Sequence, residues 1–270
     1  MDAPTRPDRV LIAIDEHPSN AITLEVGLAL ADALGQAAAV VHVVEGALEA
    51  VRTAAERAGM CLELRHGPVV ATLAELVDAP EVVVAVVGSG APERTDLPAG
   101  HVAVSLIEAT ATPTLLVPAG TTAGIAAPLH TVLVPLDGAA ETEAAVAPTI
   151  DLLAGSGLEV VVVHVLDRAE VPAFLDQAHH DLDAWGEEFL ARHRVSEGAR
   201  RIVLRSGAAG DGVLDVATAE AADMIVLGWS QDLSPGRAAV VRLLLGAASV
   251  PVLLVPVGPA AGSTWPGAAR

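Results

Sequence analysis

A loop that begins with small residues follows one apolar run of this sequence, and a predicted helix starts after it. Gly88-Ser89-Gly90 follows an apolar run, and nine residues separate Gly90 from Gly100. Glycine lets a backbone approach an anion closely, and the first amides of a helix beginning after Gly100 would point towards it. Ser89 and His101 add a hydroxyl group and an imidazole. We therefore predict a nucleotide-binding site that includes Gly88, Ser89, Gly90, Gly100 and His101.

Acidic and histidine side chains end other apolar runs. Asp15 and Asp137 each follow a predicted first strand, while His42 and His164 lie near the ends of predicted second strands. The aspartates either contact a nucleotide or cap the next helix. The histidines either form hydrogen bonds with backbone groups or act as catalysts. Asp15, His42 and Asp137, together with Gly228 in the second half, complete the predicted nucleotide-binding residues.

The elements that position these residues occur twice. Residues 10–15 resemble residues 132–137, with an offset of 122 (132 − 10), and residues 113–118 resemble residues 251–256, with an offset of 138 (251 − 113). Self-similarity over so long a period indicates duplicated structural units. The chain therefore has two related halves, and each functional site is expected either twice or in one intact and one degenerate copy.

Short runs of Val, Ile and Leu alternate with segments of helical periodicity in both halves. Continuous runs such as residues 82–87 are typical of strands buried on both faces of a parallel sheet. The alternation predicts an α/β fold of two tandem, doubly wound, five-stranded parallel-sheet domains. The predicted strands are 9–15, 37–43, 61–65, 82–87, 113–117, 131–136, 158–164, 200–205, 223–227 and 251–255. The predicted helices of the first half are 20–34, 47–59, 69–79 and 101–110.

Composition indicates where the domains meet. Residues 119–130 are rich in Gly, Ala, Thr and Pro and read as a linker. The first domain is then predicted over residues 1–118 and the second over residues 131–258. Residues 259–270 are a predicted C-terminal tail.

This layout resembles the universal stress protein family in its tandem two-domain form. The likeness rests on a first strand ending in Asp15, a second strand ending in His42-Val43, and a final strand over residues 251–255. It implies an adenine nucleotide alpha hydrolase-like fold with the two domains packed as an internal pseudo-dimer through strands 113–117 and 251–255. It also implies ATP in one branch of the family and no ligand in another.

The glycine loop departs from the pattern of ATP-binding members, which reads Gly-x2-Gly-x9-Gly-Ser/Thr. In the first half, the opening Gly88-Ser89-Gly90 is one residue short, and His101 replaces the final hydroxyl residue. In the second half, Gln231 replaces the second glycine and Ala238 stands where the closing glycine belongs. The resemblance therefore implies weakened or lost nucleotide binding, with ATP or another adenine nucleotide expected only in the first domain.

Composition excludes several classes of function. The net charge is −19 and the chain contains no lysine, which argues against nonspecific nucleic-acid binding and against Schiff-base or phosphate-loop lysine chemistry. The single cysteine, Cys61, cannot form an internal disulfide. No apolar run approaches the roughly 20 residues of a membrane span, and the N-terminus does not resemble a signal peptide. A cytoplasmic protein without membrane or nucleic-acid partners is expected.

Two further features have competing interpretations. A predicted helix over residues 171–193 carries Asp176, His179, His180 and Asp183 on one face, as metal ligands or as a solvated acidic surface; we predict no metal site. Trp229 either stacks on an adenine or covers its loop as a hydrophobic lid.

Three hypotheses about function remain open. The first is a non-enzymatic stress-response protein that binds or regulates, with at most slow ATP hydrolysis, since no catalytic motif is recognisable. The second is an ATP-binding switch that uses the first-half site. The third is a ligand-free module that binds an unknown protein partner through its acidic surface or the 171–193 helix. A homodimer beyond the internal pseudo-dimer is compatible with each.

Overall fold

The computed structural model describes residues 8–17, 19–46, 48–90, 99–121, 128–166, 199–234 and 236–258. Its strands are β1 (Arg9–Ala13), β2 (Ala37–Val43), β3 (Leu62–Arg65), β4 (Val82–Gly88), β5 (Thr114–Val117), β6 (Thr131–Pro135), β7 (Glu159–Leu166), β8 (Ala199–Ser206), β9 (Met224–Trp229) and β10 (Val252–Pro256). Its helices are α1 (Asn20–Ala33), α2 (Glu49–Arg57), α3 (Val69–Val77), α4 (His101–Ala109), α5 (Ala140–Gly155), α6 (Ala209–Ala219) and α7 (Ala239–Ala247).

The strands form one continuous sheet in the order β3-β2-β1-β4-β5-β10-β9-β6-β7-β8. Within each half every neighbouring pair of strands is parallel, and the first strand of the half lies between its second and fourth. This confirms the predicted α/β class and the two doubly wound five-stranded units. In the described ranges, helices connect successive parallel strands, as parallel pairing requires.

The halves join where β5 pairs with β10, the only antiparallel pair described in the sheet. Leu115 lies opposite Leu253, and these two residues are equivalents under the offset of 138. Equivalent residues facing each other mark a pseudo-two-fold axis, so the contact is isologous. The pairing also covers the apolar edge that each half would otherwise expose. The predicted internal pseudo-dimer is thus confirmed.

Two hydrophobic layers cover the two faces of this sheet, and each layer runs through both halves. One face packs against α1, α2 and α5, and the other packs against α3, α4, α6 and α7. The sequence of strand β4 is uniformly apolar because residues 82–87 are all buried. A strand covered on both faces cannot alternate polar with apolar residues.

Helix α1 lies unusually close to the sheet. A β-carbon added to Gly27, in the middle of α1, would come within 2.7 Å of both Cδ1 and Cγ1 of Ile12 on β1. Glycine is therefore required for this approach, which fixes the start of α1 over the carboxyl end of β1.

Several predicted features fall on parts of the chain outside the described residues. These are the 171–193 helix with its acidic and histidine face, the tail over residues 259–270, and residues 122–127 of the linker. The domain boundaries therefore remain predictions. In the described ranges, no helix is long and apolar enough to cross a membrane.

Candidate functional site

The doubly wound topology creates a crevice in each half. Strand order reverses between β1 and β4, because the connection after β1 goes to β2 and the connection after β4 goes to β5. Ligands of open α/β sheets bind at such switch points, beyond the carboxyl ends of the strands. In the first half, the residues that follow these two strands are Asp15 and the segment Gly88–Gly90, so the fold brings the predicted residues to one edge of the sheet.

The first-half glycine loop closes on itself at the start of α4. Gly100 donates its amide to the Ser89 carbonyl oxygen at 2.7 Å, and Ser89 donates its amide to Val117 at 2.8 Å. Gly90 has a φ of +63°, and a β-carbon added there would lie 3.5 Å from the Cα atom of Gly100. The predicted residues Gly90 and Gly100 are therefore in close contact, ten positions apart in sequence.

The amino end of α4 lies at this closure. Gly100 is the N-cap residue in an extended conformation, and among the described residues no side chain caps the helix. His101 and Val102, the first two helical residues, are exposed. The first amides of a helix lack intrahelical acceptors and carry a partial positive charge. This end of α4 can therefore donate hydrogen bonds to an anion.

Asp15 organises the turn that leads into α1. Its Oδ1 atom accepts a hydrogen bond from the His17 amide at 2.9 Å, and its carbonyl oxygen accepts one from Asn20 Nδ2 at 2.9 Å. The imidazole of His17 lies 2.8 Å from the Ser19 hydroxyl group. The carboxylate remains exposed, so holding the turn does not remove it from the crevice.

The two strand-end histidines share one backbone contact and differ in another. His42 Nδ1 lies 2.8 Å from the Ile14 carbonyl oxygen, and His164 Nδ1 lies 2.7 Å from that of Leu136. A carbonyl oxygen only accepts, so Nδ1 carries the hydrogen in both rings. His42 is buried, and its Nε2 atom has no partner among the described residues. His164 is half-buried and makes a further interaction. Among the described residues, the first half alone has a buried acceptor without a partner at this position.

Side chains pack closely around Asp137 and Gly228 in the second half. Asp137 accepts hydrogen bonds from the Ala139 amide at 3.0 Å and from the Thr142 hydroxyl group at 3.4 Å. A β-carbon added to Gly228 would meet Thr142 Cγ2 at 2.8 Å and the methyl groups of Val146 and Val257 at 3.1 Å. The equivalent β-carbon on Gly88 would meet only the Thr23 hydroxyl oxygen, at 3.1 Å, within the described chain.

The second-half loop also has a different backbone at the start of its helix. Ala238, the N-cap residue of α7, adopts the left-handed region with φ +46° and ψ +43°, whereas Gly100 is extended. Trp229 is only 4% exposed and belongs to the core beneath α6 and α7. Neither expectation for this tryptophan, an adenine-stacking residue or a lid, is therefore correct. Its ring packs in the hydrophobic core instead.

Charge around the first-half crevice is negative. Asp15, Glu16 and Glu45 are all exposed, and a β-carbon added to Gly46 would lie 2.9 Å from a Glu16 carboxylate oxygen. No group of three or more potential metal-ligating side chains occurs among the described residues. An anionic ligand would therefore meet unfavourable charge unless it brought its own cation.

One ionisable group in the second-half loop is clearly perturbed. Hydrogen bonds from the side chain and the backbone of Ser234 lower the pKa of Asp232, and Arg237 adds a smaller contribution in the same direction. Arg237 Nε lies 3.1 Å from Asp232 Oδ2. These contacts fix a compact turn where the first half has its glycine loop.

Sequence reasoning missed two contributors to these crevices. Thr23 lies in the first turn of α1 beside Gly88, and Thr142 occupies a related position in α5 beside Asp137 and Gly228. Neither residue belongs to a motif, because its role depends on helix packing. Thr23 follows Asp15 by eight residues and Thr142 follows Asp137 by five, so sequence spacing carried no common signal for finding them.

Comparison with known proteins gives a family match over the second half of the chain and a shared fold over nearly all of it. Residues 128–256 match the model of the universal stress protein family. A functionally unknown protein from Pseudomonas aeruginosa PAO1 is 14% identical, with a TM-score of 0.61 over 94% of this chain and 93% of that one. A universal stress protein from Archaeoglobus fulgidus DSM 4304 is 15% identical, with a TM-score of 0.61 over 93% of this chain and 98% of that one. No curated protein is significantly similar in sequence. At these identities the structural likeness shows the fold.

Proposed function

We propose that the chain is a non-enzymatic, nucleotide-responsive stress protein, because residues 128–256 match the model of the universal stress protein family and the first half repeats their fold. Its first half binds an adenine nucleotide such as ATP weakly, and its second half binds none. The stress role and a cytoplasmic location follow from the family and the composition. The nucleotide site follows from the contrast between the two crevices.

That contrast is the single observation that supports the site most directly. The first-half loop has glycine at both points of close approach, Gly90 and Gly100, and leads into an uncapped helix. The second-half loop has a β-carbon at the equivalent closing position, Ala238, and the crevice beside Gly228 is packed with methyl groups. Phosphate binding at a helix start needs backbone access, which favours the first half.

Binding is expected to be weak for an electrostatic reason. The exposed carboxylates of Asp15, Glu16 and Glu45 follow the strands of the same edge, and the whole chain has a net charge of −19. A triphosphate would approach as its magnesium complex, which reduces this repulsion. The absence of lysine removes the side chain that most often compensates phosphate charge.

The same residues support a binding role over catalysis. Hydrolysis of ATP needs groups that orient a water molecule and stabilise charge on the transferring phosphate. Asp15 already accepts a hydrogen bond from the His17 amide, and His42 donates to a backbone carbonyl. These contacts give the crevice shape, and we assign neither residue a role in proton transfer.

A thermal-shift measurement tests the proposal. Magnesium-ATP at millimolar concentration should raise the Tm of the wild-type chain, and Gly100→Val should remove this increase, because its branched side chain blocks access to the start of α4. Gly100 is extended, so valine is compatible with the backbone there.

The reciprocal change in the second half serves as the control. Ala238→Gly should raise the Tm without ligand, since it relieves a left-handed alanine, and should leave the ATP-dependent increase unchanged. No ATP-dependent increase in the wild-type chain would contradict the proposal. An ATP-dependent increase in Tm that remains in Gly100→Val but disappears in Ala238→Gly would also contradict it, because the site would then lie in the second half.

A further inference from the structure

The second-half loop binds the first half through one side chain. Gln231 Nε2 donates hydrogen bonds to the carbonyl oxygens of Thr110 at 2.7 Å and Ile107 at 3.1 Å. Both acceptors lie at the carboxyl end of α4, more than 120 residues earlier in the chain. A primary amide has two hydrogens, so one side chain supplies both donors.

The carboxyl end of α4 needs such donors. The last carbonyls of a helix have no intrahelical partner, and the one at Leu106 is already used by the amide and the hydroxyl group of Thr110. Thr110 is 1% exposed, so water has little access to this end. The Gln231 amide therefore satisfies acceptors that would otherwise be buried and unpaired, and its partial positive charge lies at the negative end of the helix.

The loop is held in the conformation that makes this contact. Gln231 has a φ of +56°, a region that favours glycine, yet glycine would lack the amide. Next to it, the Leu233 amide donates to Glu108 Oε1 at 3.3 Å, and Arg242 on α7 donates to the Leu233 carbonyl oxygen at 2.7 Å. The loop thus contacts α4 at two points and is braced by its own helix.

The first-half residue at the equivalent place has no side-chain donor. Gln231 replaces the second glycine of the loop pattern, and in the first half that glycine is Gly90, which also has a positive φ. The duplication is therefore functionally asymmetric. One loop presents glycine backbone at the amino end of α4, and the other presents an amide at the carboxyl end of the same helix.

We infer that the second-half loop is an intramolecular binding site whose ligand is the carboxyl end of α4. Gln231 is thereby a positioning residue for α4, the helix whose other end closes the first-half glycine loop. The docking itself does not depend on nucleotide binding. Its effect on the first-half site rests on the proposed function, so the two parts need separate measurements.

Hydrogen exchange in α4 tests the docking without any nucleotide. Gln231→Glu keeps the shape of the side chain but replaces two donors with acceptors that face carbonyl oxygens. Amides in the last turn of α4 should exchange about ten-fold faster than in the wild-type chain, as expected for the loss of a buried hydrogen-bonding partner. Gln36→Glu is the matched control, because the Gln36 side chain makes no hydrogen bond or ion pair with the described residues and the charge change is the same.

A pH series separates hydrogen bonding from packing. The carbonyl oxygens beside the introduced carboxylate should raise its pKa, and protonation returns one donor. The exchange difference between Gln231→Glu and Gln36→Glu should therefore shrink as the pH falls. Gln231→Ala introduces no titrating group. In this variant the amides in the last turn of α4 should exchange faster than in the wild-type chain, by a factor that does not change with pH.

The outcomes are distinguishable. Equal exchange in Gln231→Glu and Gln36→Glu would overturn the docking site, as would a pH-independent defect in Gln231→Glu. If Gln231→Glu fails to fold, the Gln231→Ala comparison with wild type still decides, because unchanged α4 exchange contradicts the inference. If the wild-type chain binds no ATP, the proposed function fails while the exchange result stands. If ATP binds, a Kd unchanged by Gln231→Ala would overturn the positioning role.

Discussion

The substitution Gly90→Ala separates the proposed phosphate loop from ordinary backbone strain, because the chain offers a matched control. Gly90 has a φ of +63° and Gly35, just after α1, has a φ of +61°. A β-carbon at Gly90 would lie 3.5 Å from Gly100 Cα and 3.8 Å from its amide nitrogen, whereas one at Gly35 would meet no described atom within 4 Å. The two changes therefore share a conformational cost and differ only in their surroundings.

The stability effect should be the same for both variants. Holding an L-residue in the left-handed region costs about 1–2 kcal/mol. The stiffer unfolded chain returns about 0.4–1 kcal/mol of that. The net loss of about 1 kcal/mol should lower the Tm by about 2–4 °C in each case, measured by differential scanning calorimetry without ligand.

The ligand effect should differ. With ATP at ten times its Kd, the wild-type chain and Gly35→Ala should gain about 1.4 kcal/mol, or about 3–6 °C. The methyl group of Gly90→Ala lies beside the start of α4 and should cost one charge-assisted hydrogen bond to phosphate, which is at least about ten-fold in Kd. The gain then falls to about 0.4 kcal/mol, or about 1 °C.

Two results would refute this reasoning. An ATP-dependent increase in Gly90→Ala equal to that in Gly35→Ala would show that the loop does not hold the phosphates. A Tm without ligand that is unchanged in both variants would show that the left-handed glycines are not conformationally required.

Two other predictions concern packing and charge. Gly27→Ala should lower the free energy of unfolding by about 1 kcal/mol in a denaturant titration, because displacing Ile12 costs more than the gain in helix propensity. Gly246→Ala, at an exposed position in α7, should raise the free energy of unfolding by about 0.5–1 kcal/mol. Changes of the same sign in both variants would contradict the close packing of α1 on the sheet. Ser234→Ala should raise the pKa of Asp232 in an NMR titration, since the serine hydroxyl group is the main cause of its lowered value. A lowered folded-state pKa contributes stability above the unfolded-state pKa that is lost as the pH falls through the folded-state value, so the variant should lose less stability on acidification.

The extent to which sequence predicted the fold depends on the range of the interactions involved. The uniformly apolar run of β4 and the repeated strand ends are local signals, and they predicted the ten strands and their parallel connections. The contact between β5 and β10 followed from the family resemblance, because residues that pair across the halves are 136 to 140 positions apart and carry no periodic signal. Trp229 was misread because burial in a shared core cannot be distinguished from a lid by spacing alone.

The candidate site was predicted less completely than the fold. Glycine spacing selected Gly90 and Gly100 as site residues, and the structure brings the two close together, with Gly90 in the left-handed region. Their part in nucleotide binding stays a prediction. The contact made by Gln231 left no trace in sequence beyond a missing glycine. In the sequence, glutamine in place of the loop glycine indicates only the loss of a phosphate-binding motif. The contact that this glutamine gains with α4 is visible only in the structure.

The central claim is that duplication preserved the scaffold twice and the nucleotide site once. Equilibrium dialysis of the full chain with labelled ATP and magnesium, carried to saturation, measures this directly as moles of nucleotide per mole of protein. Binding should saturate at about one ATP per chain, should be abolished by Gly100→Val and should be unaffected by Ala238→Gly. Saturation at two, or no binding at concentrations where the Tm rises, would contradict it.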